Sequence, residues 1–232
     1  MLLTILGCSG RLPGPNAAAS GYLVEADGFR LVLDFGSGVL AALQTRCDPF
    51  AIDALVLSQL CPDHCSDLTA LTVLRRYHTH PPYDPAERRL EVHAPPEAPD
   101  RFARAYAENA EELVVTDLSD VFDFRPLAEG PIRRGPFEIT AAPLGQAFGF
   151  RIATERATLA YGAHPALAAG VDVLLAEAGC PVGAVAAEAG VGRLLLTHIA
   201  PWDDPDALLA EARTAFTGPA ELARQGERYR IG

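Results

Sequence analysis

Apolar residues along the chain come in short runs, broken by glycine, proline and acidic residues. That rhythm belongs to many brief strands and helices. Residues 2–6 form an apolar run closed by Gly7 and predict a first strand, and residues 9–19 are a loop rich in glycine, proline and asparagine. Residues 21–25 and 29–33 flank Asp27-Gly28, a pair that favours a tight hairpin turn. Ser37 is a candidate N-cap for a helix over residues 38–45. Residues 54–57 predict a buried strand. Leu68, Leu71, Leu74 and Tyr77 fall at helical spacing within residues 67–78. A strand at 90–93 and a helix at 100–110 follow, then strands at 137–142, 149–153 and 158–161. The chain closes with a strand at 171–176, a helix at 182–189, a strand at 193–197 and a helix at 205–216 that opens on Pro205.

Two β-rich stretches, each followed by helices, predict two sheets packed face to face with helices outside, an αββα sandwich. A doubly wound single sheet is the alternative, and the early hairpin argues against it. The 232 residues suit one domain. No repeat of fixed short period and no low-complexity tract divides them.

Composition narrows the function. Hydrophobic residues make up 49% of the chain, so a large core is available. The net charge is −11, and no cluster of lysine and arginine stands out. Neither nucleic acid nor anionic lipid is therefore an expected partner. Cys8, Cys47, Cys61, Cys65 and Cys180 are odd in number and irregularly spaced, which suits reduced thiols in a cytoplasm. The start of the chain has too short an apolar run, with no preceding basic residue, to read as a signal peptide. No segment has the roughly 18 continuous apolar residues of a membrane helix.

The segment Ser58-Gln-Leu-Cys-Pro-Asp-His-Cys-Ser-Asp-Leu68 follows a predicted buried strand and precedes a helix. It resembles the signature loop of the metallo-β-lactamase superfamily, His-x-His-x-Asp-His. The resemblance runs along nearly the whole chain, through Leu6-Gly-Cys-Ser-Gly10, Ser20-Gly-Tyr-Leu-Val24, Leu31-Val-Leu-Asp-Phe-Gly36 and Arg193-Leu-Leu-Leu-Thr-His-Ile-Ala-Pro-Trp202. These segments look like the ribonuclease Z-like branch. The resemblance implies a four-layer αββα fold and a two-metal hydrolase. Its first-metal positions fall on Gln59, Cys61 and Gln146, where amides replace imidazoles and are poor zinc ligands. Its second-metal positions fall on Asp63, His64 and His198, and His164 takes the place of the bridging Asp.

We therefore expect at most one divalent ion, zinc, on Asp63, His64, His164 and His198, with Asp63 also the candidate catalytic residue. Asp34 is either a hydrogen-bonding support for the ligand loop or a turn-former before Gly36. Glu177 is either a supporting group or a strand-end acid. Cys61 is either an extra ligand or reactive thiol, or an apolar filler. The competing view of Asp63 is a helix cap within a relic polar cluster. His78 and His80 read as a solvent-facing helix end, and like His93 lie off the ligand positions. Losses at 59, 61, 146 and 164 together favour a protein that binds a small-molecule ligand or a protein partner, a second copy of itself included. The alternative is a one-metal hydrolase of a small phosphodiester or ester-like substrate.

Overall fold

In a computed structural model the chain is described over residues 1–128, 130–179 and 181–232. Cys180 lies outside the described residues. The first sheet contains β1 (Leu2–Gly7), β2 (Gly21–Ala26), β3 (Phe29–Leu33), β4 (Ala54–Val56), β5 (Leu90–Ala94) and β6 (Phe122–Pro126). The second contains β7 (Gly130–Arg134), β8 (Phe137–Leu144), β9 (Ala147–Ala153), β10 (Thr158–Tyr161), β11 (Val173–Glu177), β12 (Arg193–Thr197) and β13 (Ala220–Leu222). β14 (Arg228–Arg230) returns to pair with β1. Among the described residues the sheets run β14-β1-β2-β3-β4-β5-β6 and β13-β12-β11-β10-β9-β8-β7.

Each sheet is antiparallel on one side and parallel on the other, with β3 to β6 and β10 to β13 parallel. Parallel neighbours need crossovers, and these supply the helices. On the first sheet they are α1 (Val39–Gln44), α2 (Pro62–Cys65), α3 (Asp67–Tyr77), α4 (Ala98–Tyr106) and α5 (Ala110–Val115). On the second they are α6 (Pro165–Ala168), α7 (Val182–Ala189) and α8 (Pro205–Ala215).

Strand alternation sorts the side chains into three cores. Leu3, Val24, Leu33, Phe137, Ile152 and Leu175 fill the space between the sheets. Leu23, Val32 and Leu55 face the other way and pack on Val39, Leu68 and Phe102. Leu174, Leu194 and Leu196 pack on Val182, Ala186 and Ala212. The expected four-layer sandwich is present, and the single wound sheet is excluded.

Several boundaries differ from expectation for identifiable reasons. Gly38, at φ 88°, is the N-cap of α1, not Ser37. The fourth helix begins at Ala98, earlier than residue 100, with proline in its first turn. It stops at Tyr106, because Ala107 turns extended. Asn109 then caps a separate α5, its side chain accepting from the amides of Glu111 and Glu112. β6, β7, β13 and β14 were not expected. All lie at or beside a sheet edge, where charged residues and short length blur the apolar pattern.

One buried cation holds the first helical layer. Arg75 is 2% exposed and donates to the carbonyls of Val121 (3.2 Å) and Arg88 (2.8 Å) and to the Tyr83 hydroxyl (3.3 Å). It also lies 5.5 Å from the Phe50 ring centroid. Removing it strands the buried Val121 carbonyl and breaks the bond to Arg88, so we expect Arg75→Ala to lose about 3 kcal/mol in urea unfolding. Arg75→Lys should recover less than half of that, since an ammonium lacks the planar fork.

Candidate metal centre

The candidate donors come from loops at one end of both sheets. α2, following β4, carries Asp63 and His64, and β12 ends one residue before His198. These loops are seated by backbone contacts. The Phe35 amide donates to the His64 carbonyl (2.6 Å), Ser20 N–H to the Asp63 carbonyl (3.0 Å), and Gly10 N–H to the Ile199 carbonyl (2.9 Å). Gly36 and Gly10 permit this close approach. A Cβ at Gly36 would lie 2.0 Å from the Asp63 carbonyl oxygen, and one at Gly10 would lie 2.3 Å from that of His198.

Asp34 anchors the centre from below. It is fully buried and sits at φ 56°, a left-handed conformation that aspartate tolerates better than most residues. Its carboxylate accepts from the amide (2.7 Å) and hydroxyl (2.8 Å) of Ser58 and from the Tyr161 hydroxyl (2.6 Å). The fourth contact is His64 Nδ1, at 2.7 Å. That bond fixes the proton on Nδ1 and turns the Nε2 lone pair toward the cluster.

Among the described residues, Asp63, His64 and His198 bring one donor atom each to within 4.8 Å of one another. Asp63 Oδ2 stands 3.7 Å from Nε2 of both His64 and His198. The two imidazole rings are 5.0 Å apart at 30°. Arg11 N–H holds Asp63 Oδ2 at 2.9 Å, and Ser20 Oγ lies 3.1 Å from His198 Nδ1. Two imidazoles and a carboxylate suit zinc chemically. The decisive sign of fit is His64 Nε2, a buried ring nitrogen with no hydrogen-bond partner. Such an atom is costly unless something occupies it.

Burial opposes protonation of His64. Asp34, with Glu177 and Asp63 beyond it, outweighs that and holds the His64 pKa above its ordinary value. Burial holds His198 below its own, against the pull of Glu177.

This arrangement belongs to a known fold. The model of the metallo-beta-lactamase superfamily matches residues 15–164. An uncharacterized protein of Mycobacterium tuberculosis is 38% identical over 257 residues, covering 99% of this chain and 92% of the relative. The chain belongs to the metallo-β-lactamase superfamily. Among relatives in this superfamily, the probable metallo-hydrolase YhfI of Bacillus subtilis is 27% identical over 251 residues, covering 97% of this chain and 98% of YhfI. The crystal structure of YhfI matches with a TM-score of 0.83 at 25% identity and covers 98% of both chains. Ribonuclease Z of Mycolicibacterium paratuberculosis is 27% identical over 276 residues, covering 99% of this chain and 98% of the relative. A ribonuclease Z-like metallo-β-lactamase domain is thus the right frame.

Within that frame the expected ligand residues divide. Asp63, His64 and His198 meet. Asp63 does not cap a helix; it lies inside α2, and Cys61 stands at that N-cap without a side-chain bond. His164 is not in the group, which corrects the expectation of a third imidazole as fourth ligand. Gly162, at φ 85°, turns the chain after β10 so that His164 becomes the N-cap of α6 beside Gly149. Its Nδ1 is buried without a partner. Cys61 lies outside the group and is exposed, Gln59 is half-buried, and Gln146 is exposed at the turn between β8 and β9. His78 and His80 are exposed, and His93 is buried 3.3 Å from Glu91.

Of the two readings of Asp34, hydrogen-bonding support holds. Tyr161, Ser58 and Ser20 are supports that residue type alone did not single out, although Ser58 and Ser20 lie inside the motif segments. Among the described residues, no helix is long and apolar enough to cross a membrane.

Proposed function

We propose that this chain is a hydrolase that works with one divalent ion. A single observation carries it: three donors converge around the unpartnered Nε2 of His64, and the remaining side of the group faces the half-exposed Glu177. The binding-only view drew on the losses at 59, 61, 146 and 164, and a fourth ligand at His164 would have favoured it further by closing the site. With His164 outside the group, three firmly held protein donors and an exchangeable position remain, the arrangement of catalytic zinc sites. An ion held there would supply a Lewis acid and, by lowering the pKa of water, a nucleophile at neutral pH.

The chain's own residues keep the donors in register. Asp34 fixes the tautomer of His64, Ser20 orients His198, and the Arg11 amide holds Asp63. Gln59 and Gln146 offer amides where a second ion would need imidazoles, which supports a mononuclear site. For the substrate we propose a small phosphodiester or ester-like molecule, in keeping with relatives named metallo-hydrolase and ribonuclease. The charge of −11 disfavours a polynucleotide.

Purified protein should hold no more than one tightly bound zinc per chain by elemental analysis. It should hydrolyse bis(p-nitrophenyl) phosphate slowly, lose that turnover to a chelator and regain it on adding zinc. Two chelation-resistant ions would refute the mononuclear site, and loaded protein without turnover on phosphodiesters or esters would refute the hydrolase.

A further inference from the structure

We propose that Glu177 is the exchangeable fourth donor of this site, standing in for the bridging carboxylate that the superfamily pattern places after β10. The inference rests on the single-ion reading above. β11 and β12 run parallel, and Glu177 is in register with Thr197, the residue before His198. The pairing therefore delivers a carboxylate to the same sheet end as the imidazole. Glu177 Oε1 lies 3.8 Å from His64 Nε2, and Oε2 lies 3.9 Å from His198 Nε2. Asp63 stands at 3.7 Å from the same two nitrogens. Each carboxylate thus spans the imidazole pair.

Four donors about 2.0–2.1 Å from a tetrahedral zinc are separated by edges of about 3.3 Å. Asp63, His64 and His198 already lie within 4.8 Å of one another, and the half-exposed Glu177 side chain, 3.8 Å and 3.9 Å from the two imidazoles, would swing inward to complete the set. Charge points the same way. Two carboxylates face two imidazoles, and a divalent cation balances them. The buried, unpartnered His64 Nε2 is aimed between them. His164, the residue that sequence position put in the bridging role, stands outside the donor group at the N-cap of α6, its side chain making no cap bond.

Exposure separates the four donors. The side chains of His64, Asp63 and His198 are 1%, 10% and 11% exposed, whereas that of Glu177 is 45% exposed. Glu177 is therefore the donor at the solvent side, the one that an incoming substrate oxygen must displace. The other three are fixed by Asp34, the Arg11 amide and Ser20. Four donors and hydrolysis are compatible on these terms, because the fourth is the loosely held one.

The test uses the full chain, stripped by chelation and titrated with zinc against a chromophoric chelator, and with cobalt followed by its visible absorption. Glu177→Gln keeps the side chain's size and removes its charge. We expect its zinc affinity to fall by about ten- to a hundred-fold, the scale of perturbing a site's supporting groups. The cobalt band should change shape and intensity as the coordination changes. Urea unfolding of the chelated variant should match the parent, which separates a lost donor from a damaged fold; Glu177→Ala provides a second variant for the same readouts. A parent that binds zinc while Glu177→Gln matches it in affinity and cobalt spectrum would overturn the role of Glu177 and leave the single-ion reading standing. A parent that binds neither ion would overturn both.

Discussion

His198→Ala should abolish tight zinc binding. We expect affinity to fall by well over about a hundred-fold, since disturbing groups behind a ligand already costs about ten- to a hundred-fold. Hydrolysis of the phosphodiester should vanish with it. The side chain is small in its structural duties: its Nδ1 meets Ser20 Oγ at 3.1 Å, and its ring lies beside that of His64. The chelated variant should therefore stay folded, with loss of about 1 kcal/mol. His164→Ala is the matched control. It should leave zinc affinity within about two-fold, because His164 does not belong to the donor group. A His164→Ala variant that loses zinc as His198→Ala does would restore the three-imidazole-and-carboxylate set anticipated from sequence and remove the geometry argued here.

The second large effect concerns stability. Asp34→Ala leaves the Tyr161 hydroxyl, the Ser58 amide and His64 Nδ1 without their shared acceptor, all in a dry interior. It also puts alanine at φ 56°, where a Cβ without a local hydrogen bond is strained. We expect a loss of about 3–5 kcal/mol in urea unfolding, a large part of the about 5–15 kcal/mol typical of a domain. Asp34→Asn should lose less, since asparagine tolerates the backbone, yet it removes the charge that holds the His64 pKa up.

The pH dependence has a definite sign. A histidine with a raised native pKa adds stability that is fully present below its unfolded value, about 6.5, and is lost as pH rises through the native value. With chelator present, the gap between parent and Asp34→Asn should be widest below about pH 6.5 and narrow above the raised His64 pKa. A gap that widens with rising pH would contradict the assigned pairing.

Much of the architecture was legible because β-strand alternation and the Asp27-Gly28 turn are local signals. Asp27 and Gly28 sit at φ 48° and 80°, as the hairpin pair requires. Thr158–Tyr161, Val182–Ala189 and Arg193–Thr197 were bounded to the residue, because short apolar runs and the punctuating Gly162, Gly190 and Gly192 mark them. The edge strands were not legible. Gly130–Arg134 pairs along one side only and needs no apolar face.

At the site, Asp63, His64 and His198 were readable because motif position and residue type agreed. His164 misled because sequence position cannot report the turn at Gly162 that makes this residue a helix cap. Glu177 was legible only as a supporting group or a strand-end acid, not as a donor. Its approach to two imidazoles depends on the parallel register of β11 and β12, a contact that no local pattern records. Tyr161 reaches Asp34 across 127 residues of chain and is equally invisible to local reading.

Asp63 and His64 ride on the first sheet, whereas Glu177 and His198 ride on the second. An ion gathered by these donors is therefore a clasp between layers otherwise joined by the packing of Leu3, Leu33, Ile152 and their neighbours. The unfolded chain has no such site, so free ion at a hundred times its dissociation constant adds about 2.7 kcal/mol to the folded state. On the single-ion reading, the melting temperature should rise with metal supply, and scarcity of zinc should loosen the two halves and silence the site together.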